Sequence, residues 1–315
     1  MHKDQYTRHF LVAINPGAGD QADEALKAEL RTRIPEQQLD KLVMLKHSKY
    51  GLEPQLLKLA KTCTETGAVL VVAGGDGTLN AALKVLMKQP VTLGVIPRGT
   101  FNFFARDRGI PEQTQAAIDV LLQGAERQFP LASVNGYPFC VSASLGVYPK
   151  IIAAREQVSA ITGRNRLVSL LSGVWVFLTR ARGRRLVLAH DGARHTETAP
   201  MLLASVSPSQ LGNFDLPEID QIRKGGMLVF VMRSDSLLSL LSYLWASIRG
   251  QLRKLEKLDY FITRGLQVST RRQKVTLAID GELHRLSTPL KFSMQPNAYR
   301  CLVPAETESG EETCA

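Results

Sequence analysis

The residues most suited to chemistry lie in VVAGGDGTLN (71–80). There a purely apolar run ends in Gly74-Gly75-Asp76-Gly77-Thr78, and a stretch with helical periodicity starts at once. Three glycines let the backbone come close to a ligand and turn its N–H groups toward it. A helix N-terminus adds a partial positive charge, so the turn suits a phosphate. Asp76 is out of place beside a polyphosphate unless a metal ion or a transferable proton lies between them, which is the arrangement that phosphoryl transfer requires. The plainer alternative is a strand-to-helix turn in which Asp76 caps the helix.

Two further turns share this character. Asn15-Pro16-Gly17-Ala18-Gly19 follows the run HFLVAIN (9–15), and Pro97-Arg98-Gly99-Thr100-Phe101-Asn102 follows VTLGVI (91–96). In open α/β sheets ligands bind beyond the carboxyl ends of the strands, so three polar glycine turns at that edge indicate a nucleotide site. Arg98 is a candidate phosphate partner, with a surface arginine as the alternative. The pattern GxxxxGK[ST] is absent, which excludes a P-loop. Gly17-Ala18-Gly19-Asp20-Gln21-Ala22 fits G-x-G-x-x-A, but the second strand ends at Lys46-His47, where a ribose-binding acid belongs, so the dinucleotide fingerprint is weak.

The elements that must position these turns alternate over the first 130 residues. Helical stretches are expected at 21–33, 54–65, 78–88 and 114–124, and strands at 9–15, 42–45, 68–73 and 91–96. In 78–88 the apolar residues Leu79, Ala82, Leu83, Leu86 and Met87 recur at helical spacing. Wholly apolar strands separated by helices predict a parallel sheet covered on both faces. Beyond residue 130 the pattern changes. Asn135-Gly136, Asp191-Gly192 and Asp280-Gly281 each sit between strand-like segments, a strong hairpin signal. The second half is therefore expected to be antiparallel β with two long apolar helices. The tail 305–315 is acidic and is expected to be a mobile end.

The chain has 315 residues, enough for two domains, and 39 Lys and Arg against 29 Asp and Glu give a net charge of +10. Such an excess favours anionic partners. No apolar run reaches the roughly 18 residues that a spanning helix needs. The start MHKDQYTRHF leads directly into a strand and leaves no room for a signal-peptide core. Four widely spaced cysteines without a CxxC pair argue against a disulfide scaffold or a zinc knuckle. A soluble cytoplasmic protein is expected. No zinc finger, basic zipper or recognisable helix-turn-helix supports a nucleic-acid partner.

Together NPGAG, GGDGTLN and IPRGTFNFFARDRGIP resemble the diacylglycerol kinase catalytic family, which includes bacterial lipid kinases and sphingosine kinases and is distantly similar to NAD kinases. The likeness continues through SASLGVYP (142–149), AIDGELHRL (278–286) and a closing VP, and so spans roughly residues 9–304. It implies a parallel-sheet ATP-binding domain over 1–130, rejoined by 291–304, and an antiparallel β-sandwich lipid-substrate domain over 131–290. ATP and substrate would lie in the cleft between the two. Position by position, the resemblance implies that Asn15 (with Pro16 and Gly17 in its turn) and Gly74, Gly75, Gly77 and Thr78 bind ATP phosphates. Gly99, Thr100 and Asn102 would line the nucleotide site. Asp76 and Glu282 would be the carboxylates acting on Mg²⁺ and on the attacking hydroxyl. Asp280 reads as a turn former.

The sequence departs from the family in two places. Phe101 and Phe103 stand where many members have other residues, Phe103 replacing a polar or acidic one. Arg223-Lys224-Gly225-Gly226-Met227-Leu228 aligns with the LDDG stretch that supplies a structural Mg²⁺ site in some members, so that metal site is expected to be absent. A lysine ammonium could fill its place.

Two stretches, 164–185 and 237–257, place Leu, Val, Trp, Tyr and Phe between basic clusters. Each apolar segment is too short to span a bilayer and suits an interfacial helix; packing on the sandwich is the alternative. An ATP-dependent lipid kinase is thus expected, acting on a diacylglycerol-like lipid and held peripherally on the anionic inner membrane face, with a homodimer possible. The competing expectations are a kinase of a soluble substrate, as in NAD kinases, and a nucleotide- or lipid-binding module without catalysis.

Overall fold

The computed structural model describes residues 8–16, 23–47, 51–150, 152, 183–211, 219–232 and 258–305. The chain divides into two compact units, Met1–Phe129 with Asn297–Ala315, and Pro130–Pro296.

In the first unit the strands β1 (Phe10–Ile14), β3 (Val69–Gly74) and β4 (Thr92–Pro97) are buried at every residue. Their unbroken apolar runs therefore read as strands covered on both faces. β2 (Leu39–Met44) lies half-exposed at the sheet edge. The strands run parallel in the order β2-β1-β3-β4, and the last strand β16 (Leu290–Val303) joins beyond β4, with Arg300 opposite Thr92. Four helices connect them: α1 (Asp23–Arg33), α2 (Glu53–Thr66), α3 (Asp76–Leu86) and α5 (Thr114–Gln123), with the short α4 (Phe103–Arg106) before the last. Leu26 and Leu30 of α1 and Ile118 and Leu121 of α5 pack on Phe10, Val12, Val69 and Val71. A buried side chain of this size contributes about 1.5–3 kcal/mol. Gly124 ends α5 for a steric reason. Its φ is −67°, and a Cβ there would lie 2.4 Å from the carbonyl oxygens of Val120 and Val303.

The chain passes into the second unit along β5 (Ala125–Val134), which forms a hairpin with β6 (Tyr137–Phe139). One antiparallel sheet has the order β12-β11-β10-β7-β14-β15 and is built from β12 (Leu258–Thr263), β11 (Met227–Met232), β10 (Met201–Ser205), β7 (Ser142–Gly146), β14 (Lys274–Ile279) and β15 (Glu282–Ser287). Facing it are β8 (Arg184–His190), β9 (Ala193–Ala199), β13 (Gly265–Thr270) and the first part of β16. Alternate residues of each sheet point inward and make one core. Leu145, Leu202, Val229 and Leu277 come from one sheet, and Leu188, Val268, Leu290 and Phe292 from the other. The fold is thus an α/β parallel-sheet unit plus an antiparallel β-sandwich.

All three expected hairpin turns form. Asn135, Asp191 and Asp280 have φ of 49°, 48° and 45°, each followed by a glycine at positive φ, the primed turn that matches strand twist. Short helices α6 (Pro208–Leu211) and α7 (Ile219–Arg223) precede β11. The expected amphipathic helices at 164–185 and 237–257 lie outside the described residues, apart from residues 183–185, of which Arg184 and Arg185 open β8. The acidic tail lies outside them too, apart from residue 305. Among the described residues no helix is long and apolar enough to cross a membrane.

Candidate phosphoryl-transfer site

The strand order places β1 between β2 and β3, so the chain leaves β1 toward one side of the sheet and returns on the other. A sheet opens a binding crevice at such a switch point. The two residues that meet there are Asn15, after β1, and Thr78, in the first turn of α3. Asn15 Nδ2 donates to Thr78 Oγ1 at 2.8 Å. Gly74 makes room for this contact, since a Cβ there would lie 2.7 Å from the Thr78 side chain.

The glycine turns after β3 and β4 touch through their backbones. A Cβ on Gly75 would meet Gly99 Cα at 3.0 Å, and one on Gly99 would meet Gly75 Cα at 2.8 Å. Only glycine permits this approach from either side. Asn102 adopts the left-handed conformation (φ 48°), and its Oδ1 accepts a hydrogen bond from Gly99 N at 2.7 Å. The second turn is therefore braced from within.

Helix α3 starts at Asp76, earlier than the apolar periodicity indicates, so Asp76, Gly77 and Thr78 form its first turn. The amides of Thr78 and Leu79 return to Gly75 O at 2.9 and 3.1 Å. The two amides ahead of them belong to the helix start that has no intrahelical partner. Gly77 is exposed, with nothing within 4 Å of the position a Cβ would take. The Asp76 carboxylate is turned toward α4. Its oxygens accept hydrogen bonds from Phe103 N at 3.3 Å and Phe104 N at 3.0 Å. A carboxylate has about four acceptor positions, so Asp76 is held in place with capacity to spare.

The structure thus gathers Asn15, Gly74, Gly75, Asp76, Gly77, Thr78, Gly99 and Asn102 at one edge of the sheet. Pro16 is half-buried beside Asn15, Thr100 is exposed on the second turn, and Gly17 lies outside the described residues. Arg98, the candidate phosphate partner, lies just past the end of β4 on the same edge. Its side chain is 3% exposed and pairs with Asp23 at 2.8 Å, and it donates to Asn15 O at 3.4 Å. It ties β4 to α1 and to the end of β1. A buried charge needs such a partner to offset its desolvation. Glu282 belongs to the second unit. It opens β15 just past the Asp280-Gly281 turn, its side chain is 63% exposed, and His284 Nε2 lies 3.7 Å away.

Asp280 does more than turn the chain. Its carboxylate accepts the amides of Cys140, Val141 and Ser142 at 2.8, 3.0 and 2.9 Å. It thereby fixes the entry to β7 and the turn that carries Glu282. Phe103 and Phe101 stack with parallel rings, centroids 5.4 Å apart, and Phe101 is 63% exposed. The contact of Phe103 with Asp76 is made by the main chain, so the departure from a polar residue leaves that support intact. Arg223 ends α7, and Lys224-Gly225-Gly226 form the turn that follows it. The amides of Lys224, Gly225 and Gly226 bond back to Asp220, Ile222 and Gln221, and the Lys224 side chain is exposed. Burial pushes the thiols of Cys63 and Cys301 up to about 12, so neither serves as a nucleophile at neutral pH.

The donor set suits a nucleotide polyphosphate with its cation. Helix α3 presents its N-terminus, Gly77 leaves open space above it, and Asn15 Oδ1 is buried without a hydrogen-bond partner among the described residues. That orphan atom is an acceptor. A phosphate oxygen cannot satisfy it, whereas a cation or a cation-bound water can. Sequence reasoning missed Asp23 and the α4 amides, because neither carries a local signal.

The family model of the diacylglycerol kinase catalytic domain matches residues 9–134, which contain all three glycine turns. A diacylglycerol kinase of Staphylococcus aureus (strain bovine RF122 / ET3-1) is 25% identical over 229 residues, 72% of this chain and 71% of its own, and that of strain JH9 matches to the same extent. A crystal structure of a diacylglycerol kinase from Bacillus anthracis str. Sterne is similar in fold, with TM-score 0.68 and 19% identity over 94% of this chain and 97% of its own. Another crystal structure from that organism reaches TM-score 0.74 at 17% identity over the same shares. Over residues 9–134, the part that carries the glycine turns, the chain is similar to the diacylglycerol kinase catalytic domain.

Proposed function

We propose that the chain is an ATP-dependent lipid kinase that transfers the γ-phosphoryl group to the hydroxyl of a diacylglycerol-like lipid. The observation that carries this reading is the Asp76 carboxylate, fixed by two amides in the first turn of α3 beside a backbone cradle. Gly75, Gly77 and Gly99 would admit the phosphates, and Thr78, Thr100 and Asn102 would line their site. Asn15 would accept from the hydration shell of the bound cation. Mg²⁺ bound with ATP would supply neutralisation of the charge that develops on the phosphoryl oxygens.

In the transfer the lipid hydroxyl oxygen bonds to the γ-phosphorus, the bond to ADP breaks, and the hydroxyl proton passes to a carboxylate. Asp76 is the acceptor we assign, and positioned proton acceptance of this kind contributes about 10²–10⁴-fold. Glu282 is the second carboxylate of the reaction, presented on a turn that Asp280 holds rigid. The lipid assignment draws further support from the relatives named as diacylglycerol kinases, from the net charge of +10, and from the basic, aromatic-rich stretches at 164–185 and 237–257. Basic residues near an anionic surface are worth about 1 kcal/mol each, which suits peripheral attachment to the inner membrane face.

The test is transfer of radiolabel from γ-labelled ATP with Mg²⁺ to a total lipid extract in mixed micelles, with NAD as the soluble acceptor in parallel. A labelled lipid that comigrates with phosphatidic acid supports the proposal. Label on NAD alone, or ATP binding with no labelled product, overturns it.

A further inference from the structure

Helix α4 has only four residues, yet its first two amides hold Asp76. A helix this short has no stability of its own, so its orientation must be imposed from outside. The structure shows what imposes it. Arg108 places its guanidinium 3.6 Å above the Phe104 ring and donates through a terminal nitrogen to Phe104 O at 2.9 Å. Phe104 is fully buried, so its ring and its carbonyl are both gripped by one side chain, while its amide holds Asp76.

Arg108 is anchored in turn by Tyr299. The guanidinium donates through Nε at 2.8 Å, and again through Nη2, to the Tyr299 hydroxyl. Tyr299 is 4% exposed and lies against the rings of Phe104 and Phe129, with centroids 6.1 and 5.9 Å away. It stands on β16, 191 residues from Arg108 in sequence. A planar guanidinium that stacks and hydrogen-bonds at once fixes direction in a way a lysine cannot.

We infer that Arg108 and Tyr299 are positioning residues for the Asp76 carboxylate, and that the returning strand sets the geometry of phosphoryl transfer through them. This inference rests on the proposed role of Asp76. The chain of contacts runs from the Tyr299 hydroxyl through Arg108 to Phe104, and from the Phe104 amide to the carboxylate. Displacing a reacting group by 1 Å lowers a rate by about 10²-fold, so a small rotation of α4 is enough to matter.

Tyr299→Phe tests this, because it removes only the hydroxyl and keeps the ring in the core. Arg108→Lys keeps the charge and removes the stacked, forked contact. Arg300→Gln is the control: Arg300 is the next residue on β16, and its guanidinium bonds to Glu126 and Pro90 O. Kinase assays would give kcat and KM for ATP, and ¹⁵N-phenylalanine labelling would report the Phe103 and Phe104 amides. The expected result for both test variants is a kcat at least about tenfold lower with KM for ATP within about twofold, together with faster exchange of those two amides. Arg300→Gln should lower thermal stability and leave kcat and both amides unchanged. The inference is overturned if Tyr299→Phe and Arg108→Lys leave kcat and the amides as in the wild type, or if Arg300→Gln lowers kcat as much as they do for the same loss of stability. The amide readout needs no turnover. A chain without kinase activity whose amides respond would sink the proposed function and keep the clamp.

Discussion

Replacing Gly99 by alanine isolates what the two touching glycine turns do. The added Cβ would lie 2.8 Å from Gly75 Cα and 2.8 Å from Asn102 Oδ1. Carbon contacts settle near 3.5–4.0 Å, so the turns must part by about 1 Å. Neither neighbour yields easily: one is backbone, and the other is the side chain that accepts the Gly99 amide at 2.7 Å. Overpacking of this kind costs about 1–3 kcal/mol, and loss of the internal hydrogen bond adds about 1 kcal/mol. The unit should therefore melt several degrees lower, at about 2–4 °C per kcal/mol. The same displacement moves the turn relative to Asp76, and phosphoryl transfer should fall by about 10²-fold. The natural comparison is Gly77→Ala, where the Cβ meets nothing within 4 Å. That variant should keep or raise stability, by up to about 1 kcal/mol from helix propensity, yet weaken ATP binding because the methyl enters the space assigned to phosphate. Calorimetry and ATP titration on both proteins decide the matter. A Gly99→Ala chain with wild-type melting and turnover, or a Gly77→Ala chain with wild-type ATP affinity, would refute the cradle.

Asp280→Ala removes the acceptor of three successive amides, and hydrogen bonds to a charged group contribute about 1.5–3 kcal/mol each. A loss of several kcal/mol is expected in denaturant unfolding, read on the second unit; a change below 1 kcal/mol would exclude the clamp at β7. Cys301 links stability to alkaline pH. Its folded value near 12 lies above the usual 9.0, so between those limits the unfolded chain releases a proton that the folded chain keeps. Stability is then full below pH 9 and declines by about 1.4 kcal/mol per pH unit above it. Cys301→Ala should remove that share of the slope, measured by urea titration at pH 8.5 and 10.

Much of the fold is legible in the sequence because its signals are local. The wholly apolar runs at 10–14, 69–74 and 92–97 are parallel strands buried on both faces, and the pairs Asn135-Gly136, Asp191-Gly192 and Asp280-Gly281 turn hairpins at positive φ. The order of glycine motifs carries the likeness to the diacylglycerol kinase catalytic domain, and the matched region, 9–134, holds all of those motifs in the first unit. What escaped prediction depends on residues that are distant in sequence. Asp23 claims Arg98 across 75 positions, and Asp280 reaches amides some 140 positions earlier. Helix α4 is too short for any period to show, and its importance appears only once its amides are seen on Asp76. Gly124 illustrates the same limit. Its place at a helix end is readable, but its reason, the nearby Val303 carbonyl, is not.

The most direct measurement is label transfer from γ-labelled ATP to diacylglycerol micelles by the wild type and by Asp76→Asn, with ATP binding titrated for both. An asparagine can accept one of the two α4 amides, so the substitution should cost only about 1–2 kcal/mol of stability. The account predicts labelled phosphatidic acid from the wild type, and at least 10²-fold less from the variant at retained ATP affinity. Comparable labelling by the two proteins would contradict it.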